Sequence, residues 1–289
     1  MQLSKEQNST GTETALISKI QRYSTRDGPG IRTTVFFVGC NLRCNWCANP
    51  ELLENMPQIL YYKERCKKCG NCAGESKGTI TIGEEGCIID RNRCDNLGEC
   101  AAKCYHDAYE TIGQVITVEE LCGKLVRDKV FYDESGGGIT FSGGEPLLQP
   151  EFIVKTAALL RKENIHNALD TAGNVPWEIL KAVTEKIDLI LYDIKAFDEE
   201  IHRRSTGSSV SLILENAERL AAGNKNLCIR LILAPPFNNG EDFEKRLAFV
   251  KSLGKAVTQV DILPMHKLGS GKYRALGIPD PLEGIKECT

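Results

Sequence analysis

From Thr111 onward, short apolar runs alternate with longer segments of helical period, and this alternation leaves few folds open. The strand candidates are Gly138–Ser142, Asn167–Asp170, Leu189–Ile194, Cys228–Leu233 and Val260–Leu263. Helix candidates lie between them at Val118–Arg127, Glu151–Lys162, Pro176–Thr184, Leu212–Ala222 and Glu241–Leu253. With the β-rich run Arg32–Val38, six strands are expected, nearly all separated by a crossover long enough for a helix. Repeated βα units imply a parallel sheet. In a barrel built this way the chemistry gathers at the C-terminal ends of the strands. A further strand-like stretch, Ala15–Tyr23, precedes a turn at Asp27-Gly28-Pro29-Gly30.

The region from about Met56 to Glu110 breaks the pattern, being rich in Cys, Gly and charge and poor in long apolar runs. It reads as a small insert held together by metal. The expected organisation is therefore a core of residues 15–57 and 110–289, an insert at 58–109 and a flexible N-terminus at 1–14. Ten of the thirteen cysteines lie between Cys40 and Cys104, while Cys122, Cys228 and Cys288 stand apart and read as plain thiols. No run approaches a membrane span or a signal-peptide core, so a cytoplasmic protein is expected. In that compartment clustered cysteines indicate metal rather than disulfides. A net charge of −3 and the absence of a long basic run point away from nucleic acid and membrane surfaces.

Cys40-Asn-Leu-Arg-Cys44-Asn-Trp-Cys47 puts three thiolates on one loop. Thiolates are soft ligands that suit iron in clusters. Three of them on a four-iron cube leave one iron open for chemistry. The alternative is zinc, but a structural zinc site wants a fourth ligand close by, and no cysteine follows Cys47 until Cys66.

Cys40-x3-Cys44-x2-Cys47, with Trp46 before the last cysteine, resembles the radical S-adenosylmethionine superfamily. Asp27-Gly-Pro-Gly-Ile-Arg-Thr33 upstream and Cys47-Ala-Asn-Pro-Glu51 downstream are similar to the activating enzymes of glycyl radical enzymes, and the resemblance runs from about Ser24 to Leu276. It implies a partial (β/α)6 TIM-like barrel with a ferredoxin-like insert. It also implies reductive cleavage of S-adenosylmethionine (SAM) to a 5′-deoxyadenosyl radical, which removes a hydrogen atom from a glycine of a partner lyase, decarboxylase or dehydratase. No protein acid or base is required, because the cofactors carry the chemistry.

The resemblance assigns SAM contacts to Trp46, Cys47, Ala48, Ser142, Gly143, Gly144, Glu145, Asp193, Ile194, Lys195, Arg230 and His266. Ser142-Gly-Gly-Glu-Pro146 would meet the amino group, Lys195 the carboxylate, and His266 the ribose or adenine. The two glycines are expected to let the backbone approach a ligand closely. Asp170 and Asp193 end neighbouring strands, and two such carboxylates suit a cation. The resemblance implies a monovalent one held by Asp170, Thr171 and Asp193. Local chemistry alone also allows helix caps and a surface lysine. Arg230 lies in an apolar run and needs a partner.

The insert repeats at an offset of 28 residues: Cys66, Cys69, Cys72 and Ser76 align with Cys94, Leu97, Cys100 and Cys104. The template is the two-cluster ferredoxin, in which each cluster takes its fourth cysteine from the other run. That rule gives one complete auxiliary 4Fe–4S site: Cys66, Cys69, Cys72 and Cys104. The other retains Cys94 and Cys100, and a second cluster there would need Cys87, with Ser76 or an outside ligand. A zinc ribbon is the alternative for the whole insert.

The expectation is thus an anaerobic, monomeric iron–sulfur oxidoreductase that activates a glycyl radical enzyme and takes electrons from flavodoxin or ferredoxin. Two other readings stay open: a radical SAM enzyme acting on a small molecule, and a non-enzymatic electron carrier.

Overall fold

The computed structural model describes residues 14–93, 97–235 and 237–287; Cys94, Cys288 and residues 1–13 of the expected N-terminal segment lie outside them. Its strands are β1 Thr14–Ser24, β2 Arg32–Phe37, β3 Gln58–Tyr61, β4 Ile80–Gly83, β5 Gly86–Ile89, β6 Tyr109–Ile112, β7 Gln114–Thr117, β8 Gly138–Gly143, β9 His166–Thr171, β10 Leu189–Asp193, β11 Leu227–Leu233 and β12 Val257–Pro264. Eight form one sheet in the order β12-β11-β10-β9-β8-β2-β1-β7. The six expected strands are its parallel part, in sequence order. β1 and β7 extend it antiparallel beyond β2.

Strands β2, β8, β9 and β10 are largely buried on both faces, with helices stacked on one side and the sheet's own concave face on the other, whereas the edge strand β12 is mostly exposed. Ile139 and Phe141, Leu169, Ile190 and Tyr192, and Ile229 and Leu231 pack with the helices Val118–Leu125, Pro150–Lys162, Trp177–Thr184, Ser211–Ala222 and Glu241–Ser252 in the main core. Alternate residues Ala168, Leu189, Leu191 and Cys228 form a small second cluster. With side chains alternating along a strand, the second face continues to Asp170, Asp193 and Arg230. Register aligns these residues: Asp193 pairs with Arg230, and Leu191 with Asp170.

The sheet is strongly curved. Six parallel strands laid flat span about 24 Å, yet Phe36, Ser142, Asp170, Asp193, Arg230 and Leu263, one from each, line a single cavity of about 540 Å³. Among the described residues no helix is long and apolar enough to cross a membrane.

Helices Lys129–Ser135, Glu199–Thr206 and Ser270–Leu276 have no counterpart in the sequence reading. Glu199–Thr206 is almost wholly polar and shows no apolar period. Its ends carry the signal instead: Asp198 accepts from the amides of Glu200 and Ile201, and Gly207 closes it in the left-handed conformation.

Between the core halves, β3 pairs antiparallel with β6 and β4 with β5. The chain re-enters the main sheet at Gln114 rather than at 110, because Tyr109–Ile112 is held by Gln58–Tyr61. Short helices Asn71–Glu75 and Leu97–Ala102 pack over Ile80. Arg91 ties this region to the core, donating to the carbonyls of Ile59 and Ala275.

Candidate functional site

The loop after β2 carries Cys40, Cys44 and Cys47 into the cavity. It is clamped from three directions. The amides of Arg43 and Asn45 donate to the carbonyls of Thr206 and Ser205. Trp46 packs on Phe237 with ring centroids 5.8 Å apart. Lys272 donates to the Ala48 carbonyl, Asn49 Oδ1 and Glu51 Oε1 at 3.1, 2.7 and 2.6 Å. Two of these clamps sit on the helices that sequence reading missed.

Burial pushes the thiols up to about 12, 12 and 11 for Cys40, Cys44 and Cys47. They give up their protons only to a cation that repays the cost. Among the described residues no three His, Cys, Asp or Glu side chains lie close enough to hold a single metal ion. Three part-buried thiols on the wall of one cavity are soft donors that suit an iron–sulfur cluster.

Gly143 and Gly144 serve the chain itself. A Cβ at Gly144 would lie 2.1 Å from the Gly39 carbonyl oxygen, and one at Gly143 would lie 2.4 Å from the Phe37 amide nitrogen. Their bareness lets the loop after β8 press against the loop after β2, and the Glu145 amide then donates to the Gly39 carbonyl at 2.7 Å. Close approach was expected toward a ligand; the approach seen here is to neighbouring backbone. Glu145 is buried; its carboxylate accepts from the Leu147 amide, the Thr171 hydroxyl and the Ala172 amide. Burial outweighs these bonds and pushes its pKa up to about 7.

Asp170 and Asp193 meet as expected, and the positive charge between them is the chain's own. Arg230 Nη1 lies 2.8 Å from Asp170 Oδ1, and its Nε lies 3.7 Å from Asp193 Oδ1. Lys195 Nζ donates to Asp193 Oδ2 at 2.8 Å. Burial disfavours the Lys195 charge, but Asp193 more than offsets this and its pKa is raised. Asp193 is likewise penalised by burial, yet Lys195 and Arg230 hold it below the usual carboxylate range. Ser142 donates to Asp170 at 2.6 Å. Thr171, expected beside a cation, donates its hydroxyl to Glu145.

Trp46, Ala48 and His266 also line the cavity. Ile194 does not: its side chain packs in the core, and its amide donates to the Arg230 carbonyl, because alternation turns the residue after Asp193 to the helix side. Sequence reasoning gave no role to Arg26, Phe36 and Met265 on the cavity wall, and Asp27 and Asn49 there were noted only as parts of motifs. Their only sequence signal is a place in or beside the turn and loops already singled out.

In the insert, Cys66, Cys69, Cys72, Cys87 and Cys104 line one small cavity. Cys104 therefore joins the first run as the repeat suggests. Cys87 lines the same cavity, at 3.8 Å from Cys66 and 3.5 Å from Cys72 (Sγ to Sγ); Cys94, with which it was expected, lies outside the described residues. Cys100 is buried beside Ile80 and Leu97. The Ser76 hydroxyl donates to the Ala73 carbonyl and accepts from the Ile80 amide, so it serves the backbone of its own turn.

The radical SAM superfamily model matches residues 87–250. The (2S)-3-sulfopropanediol dehydratase activating enzyme of Klebsiella oxytoca is 38% identical over 285 residues, covering 94% of this chain and 88% of its own. The chain belongs to the radical SAM superfamily. Within it, this is an activating enzyme of the glycyl radical enzyme kind. The trans-4-hydroxy-L-proline dehydratase activating enzyme of Clostridioides difficile is 40% identical over 263 residues, with coverages of 89% and 86%. The 4-hydroxyphenylacetate decarboxylase activating enzyme of Clostridioides difficile strain 630 is 36% identical over 272 residues, with coverages of 91% and 85%. The superfamily implies a 4Fe–4S cluster and SAM, and three part-buried thiols facing a wall that carries both charge signs fit that pair.

Proposed function

We propose that Cys40, Cys44 and Cys47 hold the SAM-binding 4Fe–4S cluster, that the cavity beside them takes SAM, and that the target is a glycine of a partner lyase, decarboxylase or dehydratase. One observation carries this reading: the three thiols share a cavity with Glu145, Asp193, Lys195, Arg230 and His266. When bound and reduced, the cluster and SAM together supply a 5′-deoxyadenosyl radical that takes a hydrogen atom from that glycine.

The chain's own part is to bind, orient and shield. Glu145, held by three donors, meets the ammonium group of the cofactor. Lys195 and Arg230 meet its carboxylate, and His266 lies toward the ribose or adenine. Arg230 already fills the space between Asp170 and Asp193, so a monovalent cation at Asp170, Thr171 and Asp193 enters only if the guanidinium turns toward the ligand; SAM affinity measured with and without potassium tests this.

The insert, as a ferredoxin-like domain, carries one auxiliary 4Fe–4S cluster on Cys66, Cys69 and Cys72, with Cys104 as fourth ligand by the ferredoxin pattern. It relays electrons from flavodoxin or ferredoxin, or shapes the face that receives the partner. Anaerobic incubation with SAM, a reductant and candidate glycyl radical enzymes should give a glycyl doublet by electron paramagnetic resonance, with methionine and 5′-deoxyadenosine. Absence of the doublet with every candidate, while a small molecule is consumed, refutes the partner assignment.

A further inference from the structure

The helix Glu241–Ser252 carries two ion pairs, each spanning four residues, in opposite settings. Lys245–Glu241 lies in solvent, as such pairs usually do. Arg246–Asp242, with Nε 3.0 Å from Oδ2, has both side chains wholly buried. Stability alone does not call for a buried pair, since apolar side chains of similar volume commonly serve as well. Neither residue lines the cavity, and neither does Asn238, which packs beside them.

What these three hold is the backbone around Lys195. β10 ends at Asp193, so the peptide groups that follow need partners from elsewhere. Asp242 Oδ1 accepts from the amides of Phe197 and Asp198, each at 2.9 Å. Arg246 Nη1 donates to the Ile232 carbonyl at 2.9 Å and reaches that of Ile194 at 3.5 Å, while its Nη2 donates to the Asn238 carbonyl. The Asn238 side chain in turn donates to the carbonyls of Lys195 and Ile232 at 2.7 and 2.8 Å and accepts from the Ala234 amide at 2.8 Å. Residues 194–198 are thereby tied to the end of β11, the strand that carries Arg230. Lys195 sends a flexible four-carbon stem into the cavity, and the aim of its ammonium is fixed only if its backbone is.

We propose that Asp242, Asn238 and Arg246 form one positioning unit for Lys195, setting where its ammonium meets the cofactor carboxylate. This rests on the reading of Lys195 as the partner of that carboxylate.

The test is a double-mutant cycle read as SAM affinity, by anaerobic calorimetry on the cluster-loaded full chain at matched iron content. Asn238→Ala frees the Lys195 carbonyl and leaves the ion pair in place. Arg246→Lys keeps the charge beside Asp242 and gives up the fork that reaches the carbonyls. Each is made alone and with Lys195→Met. Alone, each should weaken SAM binding roughly tenfold, and Lys195→Met should weaken it by roughly 10–150-fold. In the Lys195→Met background each should add less than about twofold, because the group they aim is gone. Should either variant fail to load its cluster, the other decides. Equal losses in both backgrounds, or no loss in either, overturn the proposal. If Lys195→Met alone leaves the affinity unchanged, the carboxylate reading of Lys195 falls, and this inference falls with it.

Discussion

Replacing Arg230 with methionine removes the guanidinium that separates Asp170 from Asp193 and keeps much of the side-chain volume. The three side chains are 15–18% exposed. At an effective dielectric of ~20, contacts at 2.8 and 3.7 Å represent gross attractions of roughly 6 and 4.5 kcal/mol. Desolvation takes back most of that, and removing one partner of such a pair costs about 3–5 kcal/mol because the other charge is stranded. The expected loss at pH 8 is therefore about 3–5 kcal/mol, read as a fall in the urea midpoint of anaerobically purified protein at constant m-value. Two controls follow. Asp170→Asn in the Arg230→Met background should recover about 2 kcal/mol, since the stranded charge is gone. The deficit should also shrink toward pH 5. Burial already raises Asp170, and without Arg230 it rises further, while Asp193 keeps Lys195; the folded variant therefore binds more protons and gains stability as pH falls. A deficit below about 1 kcal/mol, or one unchanged between pH 8 and pH 5 with no recovery in the double variant, refutes the view of Arg230 as the counter-charge of this site.

Glu145 is pushed up to about 7 by burial, and a carboxylate must be ionised to hold an ammonium group. SAM affinity, measured by anaerobic calorimetry, should be flat above about pH 7 and fall as much as tenfold per unit below it, and Glu145→Gln should weaken binding by roughly 10–150-fold and abolish that dependence. Gly144→Ala forces a Cβ to 2.1 Å from the Gly39 carbonyl oxygen; the loop must shift, and a loss of about 1–3 kcal/mol is expected, with reduced iron content in a chain whose insert cysteines are replaced. Lys272→Met strands the buried Glu51 carboxylate and loosens the Cys47 loop, so a ferrous chelator should strip iron from this site several-fold faster than from the parent; equal rates would show that the lysine does not brace the loop.

The six parallel strands, the break in the pattern at the insert and the cysteine loop after β2 were legible because each is written in local order. Strand alternation has a period of two, crossovers have a minimum length, and ligands on one loop have a fixed spacing. Glu199–Thr206 was not legible because an almost wholly polar helix has no apolar stripe to read, and Ser270–Leu276 because seven residues are too few to show a period; the value of each lies in what it clamps. The same holds for the site's charges. Asp170, Asp193, Lys195 and Arg230 were each visible, but that Arg230 stands between the two carboxylates follows from strand register, which only the packed sheet decides. Cys87 makes the point most sharply. In the sequence reading a second cluster would need it; the pairing of β5 with β4 and the reach of Tyr61 set it in one cavity with Cys66, Cys69, Cys72 and Cys104. Spacing along a chain determines which ligands can share a loop, whereas ligands from different loops meet only where tertiary packing brings them.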